Sequence, residues 1–136
     1  MMKKKFLRFG TLLVGSFALL SMTIIKSNDQ DPWEVPAEYK NLKNPYTNVE
    51  DDELIGEELY GMYCQSCHGI KGKGDGVNAE LVSTPVADFT TASFKNQSDG
   101  SLYYKLITGR NDMVGFQLII PEEEDLWMVI NYIKNL

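Results

Sequence analysis

The sequence has few cysteines, a single histidine and, beyond its first 26 residues, little positive charge. Two cysteines among 136 residues are too few for a disulfide framework. Residues 1–26 hold five of the 13 Lys and Arg and none of the 19 Asp and Glu, so the rest of the chain has a net charge of −11. That acidity excludes a nucleic-acid partner, because phosphates require a basic surface. It favours a partner with a basic docking face.

The N-terminal segment, residues 1–26, is basic and then apolar. A basic start at residues 3–8 precedes an apolar run of 17 residues, Phe9 to Ile25. This run is at the lower limit for crossing a bilayer, yet longer than the core of most cleaved signal peptides. We therefore expect an uncleaved membrane anchor, with a cleaved signal peptide as the alternative; a buried helix would leave the lysines without a role. In both cases the remainder lies on the periplasmic side of a bacterial inner membrane.

The rest of the chain divides into a linker and one domain. Residues 27–46 contain three prolines and show no helical or strand period, which predicts an extended polar linker. Trp33 and Tyr39 are candidates to dock this linker against the domain. The domain itself comprises residues 47–136, because apolar side chains recur at helical spacing only from there on.

Three helices are predicted in the domain. The first begins with the capping-box pattern Thr47-x-x-Glu50 and runs to about Cys64. The second runs from Ser98 or Asp99 to Thr108, and the third opens at Pro121. No segment alternates with period two, and residues 69–98 are mostly loop, so the fold class is all-α. Three short helices with so long a loop predict that something other than side chains fills the core.

Both cysteines and the histidine stand in one motif, Cys64-Gln65-Ser66-Cys67-His68. C-x-x-C-H is the attachment pattern of haem c. Two thiols at this spacing form thioethers with the haem vinyl groups, and the next residue, His68, becomes an axial iron ligand. Three alternatives fit less well. A thioredoxin-like pair opens a helix in an α/β domain, a zinc site needs a fourth ligand, and a structural disulfide leaves His68 unexplained.

Met113 is the candidate for the second axial ligand. It lies in a loop 45 residues after His68, between the second and third helices, whereas Met62 and Met128 lie on helices. A thioether opposite histidine is typical of electron-carrying cytochromes. The nearby glycines of Gly72–Gly76 lack the strand and helix of a phosphate loop, and predict instead a sharp turn of the chain away from His68.

With this motif, the glycine-rich turn, the loop methionine and the closing helix, residues 47–136 resemble the class I monohaem cytochromes c. The resemblance implies an all-α, cytochrome c-like domain of three main helices with long loops around one covalently bound haem c. It also implies that the first and last helices cross closely, with Gly56 and Tyr60 against Val129 and Tyr132.

The resemblance extends to the loop after the motif. The run Thr84–Thr90 is similar to a segment of many bacterial members, which implies that the Pro85 carbonyl accepts a hydrogen bond from His68. Two features depart from the family pattern. Val114 stands where a proline usually follows the methionine ligand, and Ile120-Pro121 replaces the common Ser or Thr cap of the last helix.

The function implied by the resemblance is electron transfer and not catalysis. Cys64 and Cys67 would attach the haem, and His68 and Met113 would coordinate its iron, while membrane redox complexes act as electron donor and acceptor. Two alternatives stay open. The chain is a fixed haem c subunit of a larger membrane complex, or it is a haem enzyme or sensor that binds a small ligand at an open iron position.

Overall fold

The computed structural model describes residues 32–51 and 54–136. The N-terminal segment and its predicted membrane function lie outside these residues. In the part of the chain that is described, no helix is both long enough and apolar enough to cross a membrane.

Helices supply the regular secondary structure of the described residues, and the one β-type contact among them is an isolated bridge between Arg110 and Met113. The three predicted helices are present, and shorter helical turns lie between and before them. In chain order, the elements are α1 (Ala37–Lys40), α2 (Ile55–Tyr63), α3 (Gln65–His68), a 3-10 turn (Ala79–Leu81), α4 (Ala92–Lys95), α5 (Asp99–Thr108) and α6 (Glu123–Asn135).

α2 and α6 cross at the centre of the fold. A Cβ atom on Gly56 would overlap the backbone carbonyl of Met128, so only glycine permits this approach. The Tyr60 ring, 1% exposed, lies 5.2 Å from the Tyr132 ring across the crossing. The close crossing implied by the resemblance is therefore confirmed, and the Met128 backbone is the immediate neighbour of Gly56.

The predicted N-cap of the first helix, Thr47, is wrong by seven residues, because the residue at that position is Leu54. The Thr47 hydroxyl donates a hydrogen bond to the Asn44 carbonyl instead of capping a helix. α2 begins at Ile55, and the carboxylate of Asp51 accepts hydrogen bonds from the Ile55 and Gly56 amides at 2.8 and 2.7 Å. Asp51 satisfies two of the free amides of the first turn, so the helix begins where that side chain reaches.

The other two helices lie close to their predicted bounds. α5 is preceded by Ser98, whose hydroxyl accepts a hydrogen bond from the Ser101 amide, and ends before Gly109 at a φ of +64°. Both features match the sequence prediction. α6 begins at Glu123, two residues after the predicted Pro121.

Residues 32–46 pack against the domain. They include the single turn α1, where an extended segment was predicted. The Tyr39 ring lies 4.8 Å from that of Tyr104, and Val35 is 7% exposed. The Asn44 side-chain amide donates to Asn131 of α6 at 2.7 Å. The predicted docking of this segment is therefore confirmed.

Candidate functional site

The C-x-x-C-H motif forms one compact turn where α2 passes into α3. The Cys64 amide donates to the Tyr60 carbonyl, and the His68 amide donates to the Cys64 carbonyl, both at 2.9 Å. Both cysteines are half-buried free thiols. Burial, with a smaller contribution from Cys67, raises the pKa of Cys64 to about 12. A protonated, buried thiol is unlike the low-pKa cysteine of a thioredoxin-like redox pair.

One cavity brings together all five residues predicted for the site. Mostly apolar side chains form its walls, as a flat porphyrin requires, and two thiols, one imidazole and one thioether face it. This donor set fits haem c. The residues that line the cavity are Trp33, Tyr63, Cys64, Cys67, His68, Val82, Thr84, Pro85, Val86, Ala87, Arg110, Asp112, Met113, Val114 and Phe116.

His68 is held from two sides. Its Nδ1 lies 3.3 Å from the Ala87 carbonyl oxygen, and its ring stacks on Phe89 with 4.3 Å between centroids. Burial lowers the pKa of His68, and the contact with Ala87 partly opposes this. A lowered pKa favours the neutral imidazole. With Nδ1–H donated to Ala87, the lone pair of Nε2 is left for a metal.

The predicted hydrogen bond from His68 to Pro85 is wrong. The acceptor is the carbonyl of Ala87, two residues further along the chain, and Pro85 instead lines the cavity. The Phe89 amide donates to the Gly72 carbonyl at 2.6 Å, and this bond fixes the chain just after Ala87 beside the imidazole. The register of the loop thus follows from a bond to the glycine-rich turn.

Met113 ends a tight turn that begins at Arg110. The two residues exchange backbone hydrogen bonds of 2.8 and 3.0 Å, and Asn111 takes a φ of +54°. The Met113 side chain is half-buried against the same cavity as His68. Val114, at the position of the family's proline, is 57% exposed, and the turn forms without a proline there.

Asp112 is a site residue that the sequence reasoning missed. Its Oδ2 accepts hydrogen bonds from the Ser83 amide (3.1 Å), the Ser83 hydroxyl (2.8 Å) and the Thr84 amide (2.9 Å). The hydrogen bonds from Thr84 and Ser83 lower the pKa of Asp112. Asp112 lies 28 positions after Thr84 and 29 after Ser83. No sequence pattern predicts a contact between loop residues so far apart.

Trp33 forms part of the cavity wall as well as docking the N-terminal residues. The Arg110 guanidinium lies 4.8 Å from the centre of the indole, and the Lys105 ammonium 5.5 Å from it. Both are cation–π distances. Burial, together with the charge of Arg110, lowers the pKa of Lys105. The sequence indicated that Trp33 docks, but not that it reaches the site.

The chain has matches among known protein families and solved structures. A family model described as "Cytochrome C oxidase, cbb3-type, subunit III" matches residues 51–133, more than half of the chain. A search of the curated proteins finds no significant match. Nine chains of solved structures match.

Two of these solved structures illustrate the likeness. One is a chain of the Kuenenia stuttgartiensis reducing HAO-like protein complex Kustc0457/Kustc0458, with a TM-score of 0.53 and 25% identity, covering 68% of this chain. This chain spans 47% of that one. The other is the KustC0563 c-type cytochrome, with a TM-score of 0.49 and 22% identity, covering 59% of this chain and 94% of that one.

Proposed function

The chain belongs to the cytochrome c family described as cytochrome c oxidase, cbb3-type, subunit III, and from this premise we propose that it carries single electrons in a membrane-associated respiratory chain. Members of this family bind haem c covalently, and their role is haem-based electron transfer. One observation carries the assignment of residues. Two thiols, an imidazole and a thioether from distant parts of the chain line a single, mostly apolar cavity.

Each site residue has a distinct role in this proposal. Cys64 and Cys67 would hold the haem covalently, through thioether bonds to its two vinyl groups. His68 and Met113 would coordinate its iron. The haem, when bound, supplies the one-electron Fe(III)/Fe(II) couple.

The surrounding residues tune and shield the site. The hydrogen bond from Nδ1 of His68 to Ala87 and the stacked ring of Phe89 orient the imidazole. Apolar walls that include Val82, Val86 and Phe116 would keep water from a bound haem. A dry site with two strong ligands suits electron transfer, because the iron then exchanges electrons without changing its ligands.

The partners follow from charge and chain length. The acidic domain suits redox complexes with basic docking faces. Seven positions separate Lys26, at the end of the apolar run, from Trp33 at the cavity. Even fully extended, seven residues reach no more than about 25 Å. With an uncleaved anchor, the haem therefore lies close to the periplasmic face of the inner membrane, where membrane complexes donate and accept electrons.

A second candidate function is that of a fixed electron relay inside a larger complex. Two comparisons favour it: the family is described as a subunit of an oxidase, and one structural neighbour is a chain of a multi-protein complex. The short connection from the N-terminal segment also suits a relay. Detergent extraction separates the two functions, since a relay is purified with stoichiometric partners and a shuttle as a free protein.

The absorption spectrum of the haem-loaded protein tests the site. In the oxidised protein we expect a weak sulfur-to-iron charge-transfer band that is lost in Met113→Ala. Met62→Ala is the matched control, because Met62 lies on α2 with its side chain 68% exposed. A high-spin wild-type spectrum that is unchanged in Met113→Ala would instead support the enzyme or sensor alternative.

A further inference from the structure

We propose that Asp112 is a positioning residue that holds the Met113 turn against the histidine side of the cavity. The proposal rests on the proposed function, since it assumes that Met113 is an axial ligand. Asp112 precedes Met113 directly, and its carboxylate accepts three hydrogen bonds from Ser83 and Thr84. It thereby joins two segments that are far apart in sequence.

One of these two segments orients His68, and the other carries Met113, the two residues that would coordinate the iron. Ser83 and Thr84 lead directly into the residues up to Ala87, whose carbonyl accepts the hydrogen bond from His68. Met113 belongs to the turn that begins at Arg110. The carboxylate of Asp112 is therefore a tie between the segment that orients the histidine and the turn that presents the methionine.

The other bonds of the turn do not replace this tie. The two backbone bonds between Arg110 and Met113 are internal, so they shape the turn without fixing its place on the domain. At the start of the turn, Arg110 stacks on Trp33. Beyond the end of the turn, the Phe116 amide donates a hydrogen bond of 3.0 Å to the Leu106 carbonyl. Asp112 alone among these contacts reaches residues 82–87.

Loss of the carboxylate is expected to free the methionine side chain more than the rest of the domain. Hydrogen bonds to an ionised acceptor are stronger than neutral ones, and here three of them converge on one oxygen. Without them the turn opens more often, and an added ligand competes more easily with the Met113 sulfur. The measurable consequence is tighter binding of an external ligand to the oxidised protein.

The test is a titration of the oxidised, haem-loaded protein with imidazole, followed by loss of the sulfur-to-iron band. We expect Asp112→Ala to bind imidazole about three- to ten-fold more tightly than the wild type, the range given by the loss of modest surface hydrogen bonds. Ser83→Ala, which removes one of the three bonds, has a smaller effect. Asp112→Asn keeps an acceptor oxygen and partly restores the wild-type affinity.

Asp99→Ala is the matched control. The Asp99 carboxylate also joins two distant segments, because it accepts a hydrogen bond from Lys134 of α6, but neither residue lines the cavity. We expect its imidazole affinity to equal that of the wild type. An equal rise in Asp99→Ala, or none in Asp112→Ala, would overturn the proposal, and so would a lowered thermal midpoint in Asp112→Ala with unchanged imidazole affinity.

The Met113→Ala spectrum separates failure of this proposal from failure of the proposed site. If Met113→Ala keeps the wild-type spectrum, methionine ligation is wrong and the role of Asp112 fails with it. If Met113→Ala loses the band and Asp112→Ala binds imidazole as the wild type does, the ligation stands and only the tie is rejected.

Discussion

At the scale of single residues, Tyr60 links the helix crossing to the haem motif. Its buried hydroxyl donates a hydrogen bond of 2.5 Å to the carbonyl of Gly69, the residue that follows His68. Its ring packs against Tyr132 of α6. Burial is the main cause that raises the pKa of Tyr60 to about 12. One side chain thus fixes the chain immediately after the histidine to the centre of the fold.

We expect Tyr60→Phe to lower the free energy of unfolding by about 1–3 kcal/mol, because the buried Gly69 carbonyl loses its partner. Denaturant unfolding of the haem-loaded protein measures this. Tyr104→Phe is the control, because the phenylalanine ring keeps the packing of Tyr104 against Tyr39. A loss in Tyr104→Phe as large as in Tyr60→Phe would contradict the assignment.

Tyr60→Phe also tests how the free energy of unfolding changes at alkaline pH. The pKa of Tyr60 is raised in the folded protein from 10.0 to about 12, so the folded state holds a proton that the unfolded state releases. The contribution is complete below about pH 10 and is lost as the pH rises through about 12. The free energy of unfolding should fall more steeply between these values in the wild type than in Tyr60→Phe, and equal slopes would argue against it.

At the scale of elements, the crossing of α2 and α6 determines where the motif lies. Cys64 follows α2 directly, so any movement of this helix moves both thiols and the imidazole. α6 buries Trp127 and Ile130 completely against the rest of the core. The distance between the two helices is set at Gly56, where the Met128 carbonyl leaves no room for a side chain.

Two glycines of α2 provide a matched pair of variants. Gly56→Ala forces a methyl group onto the α6 backbone, and we expect it to destabilise the protein by about 1–3 kcal/mol, as overpacking does. Gly61→Ala meets open space and should stabilise by up to about 1 kcal/mol, because alanine favours helix. Denaturant unfolding compares them. Equal effects of the two substitutions would show that the crossing is not tight.

At the scale of the whole molecule, the charge beyond the N-terminal segment is strongly negative. Two of the few cations, Lys105 and Arg110, lie against Trp33. Residues 27–136 together carry a net charge of −11, which gives the domain a negative electrostatic field. Such a field speeds the encounter with a positively charged partner more than it strengthens the complex. The expected signature is kinetic.

We expect the second-order rate of electron transfer to a basic redox protein to fall by about ten-fold between low and physiological salt, since screening shortens the range of attraction. Stopped-flow mixing at several ionic strengths measures the rate. An uncharged small-molecule reductant is the control and should show no such fall. A flat salt dependence with the basic protein would remove the proposed charge complementarity.

Features that depend on short separations along the chain could be predicted from the amino-acid sequence. The C-x-x-C-H spacing places two thiols and one imidazole on one helical turn. Ser98 and Gly109 bound α5 because caps act on the nearest few amides and carbonyls. The start of α2 was misplaced, because Asp51 reaches its amides from outside any recognised capping pattern.

The packing of the folded domain determines which distant groups meet around the cavity. It selected Ala87 and not Pro85 as the partner of His68, joined Asp112 to Ser83, and brought Trp33 to the cavity wall. These contacts join residues 19 to 77 positions apart through loops that carry no periodic signal. Their geometry follows from how the whole core packs, and neither composition nor local spacing encodes that packing in a readable form.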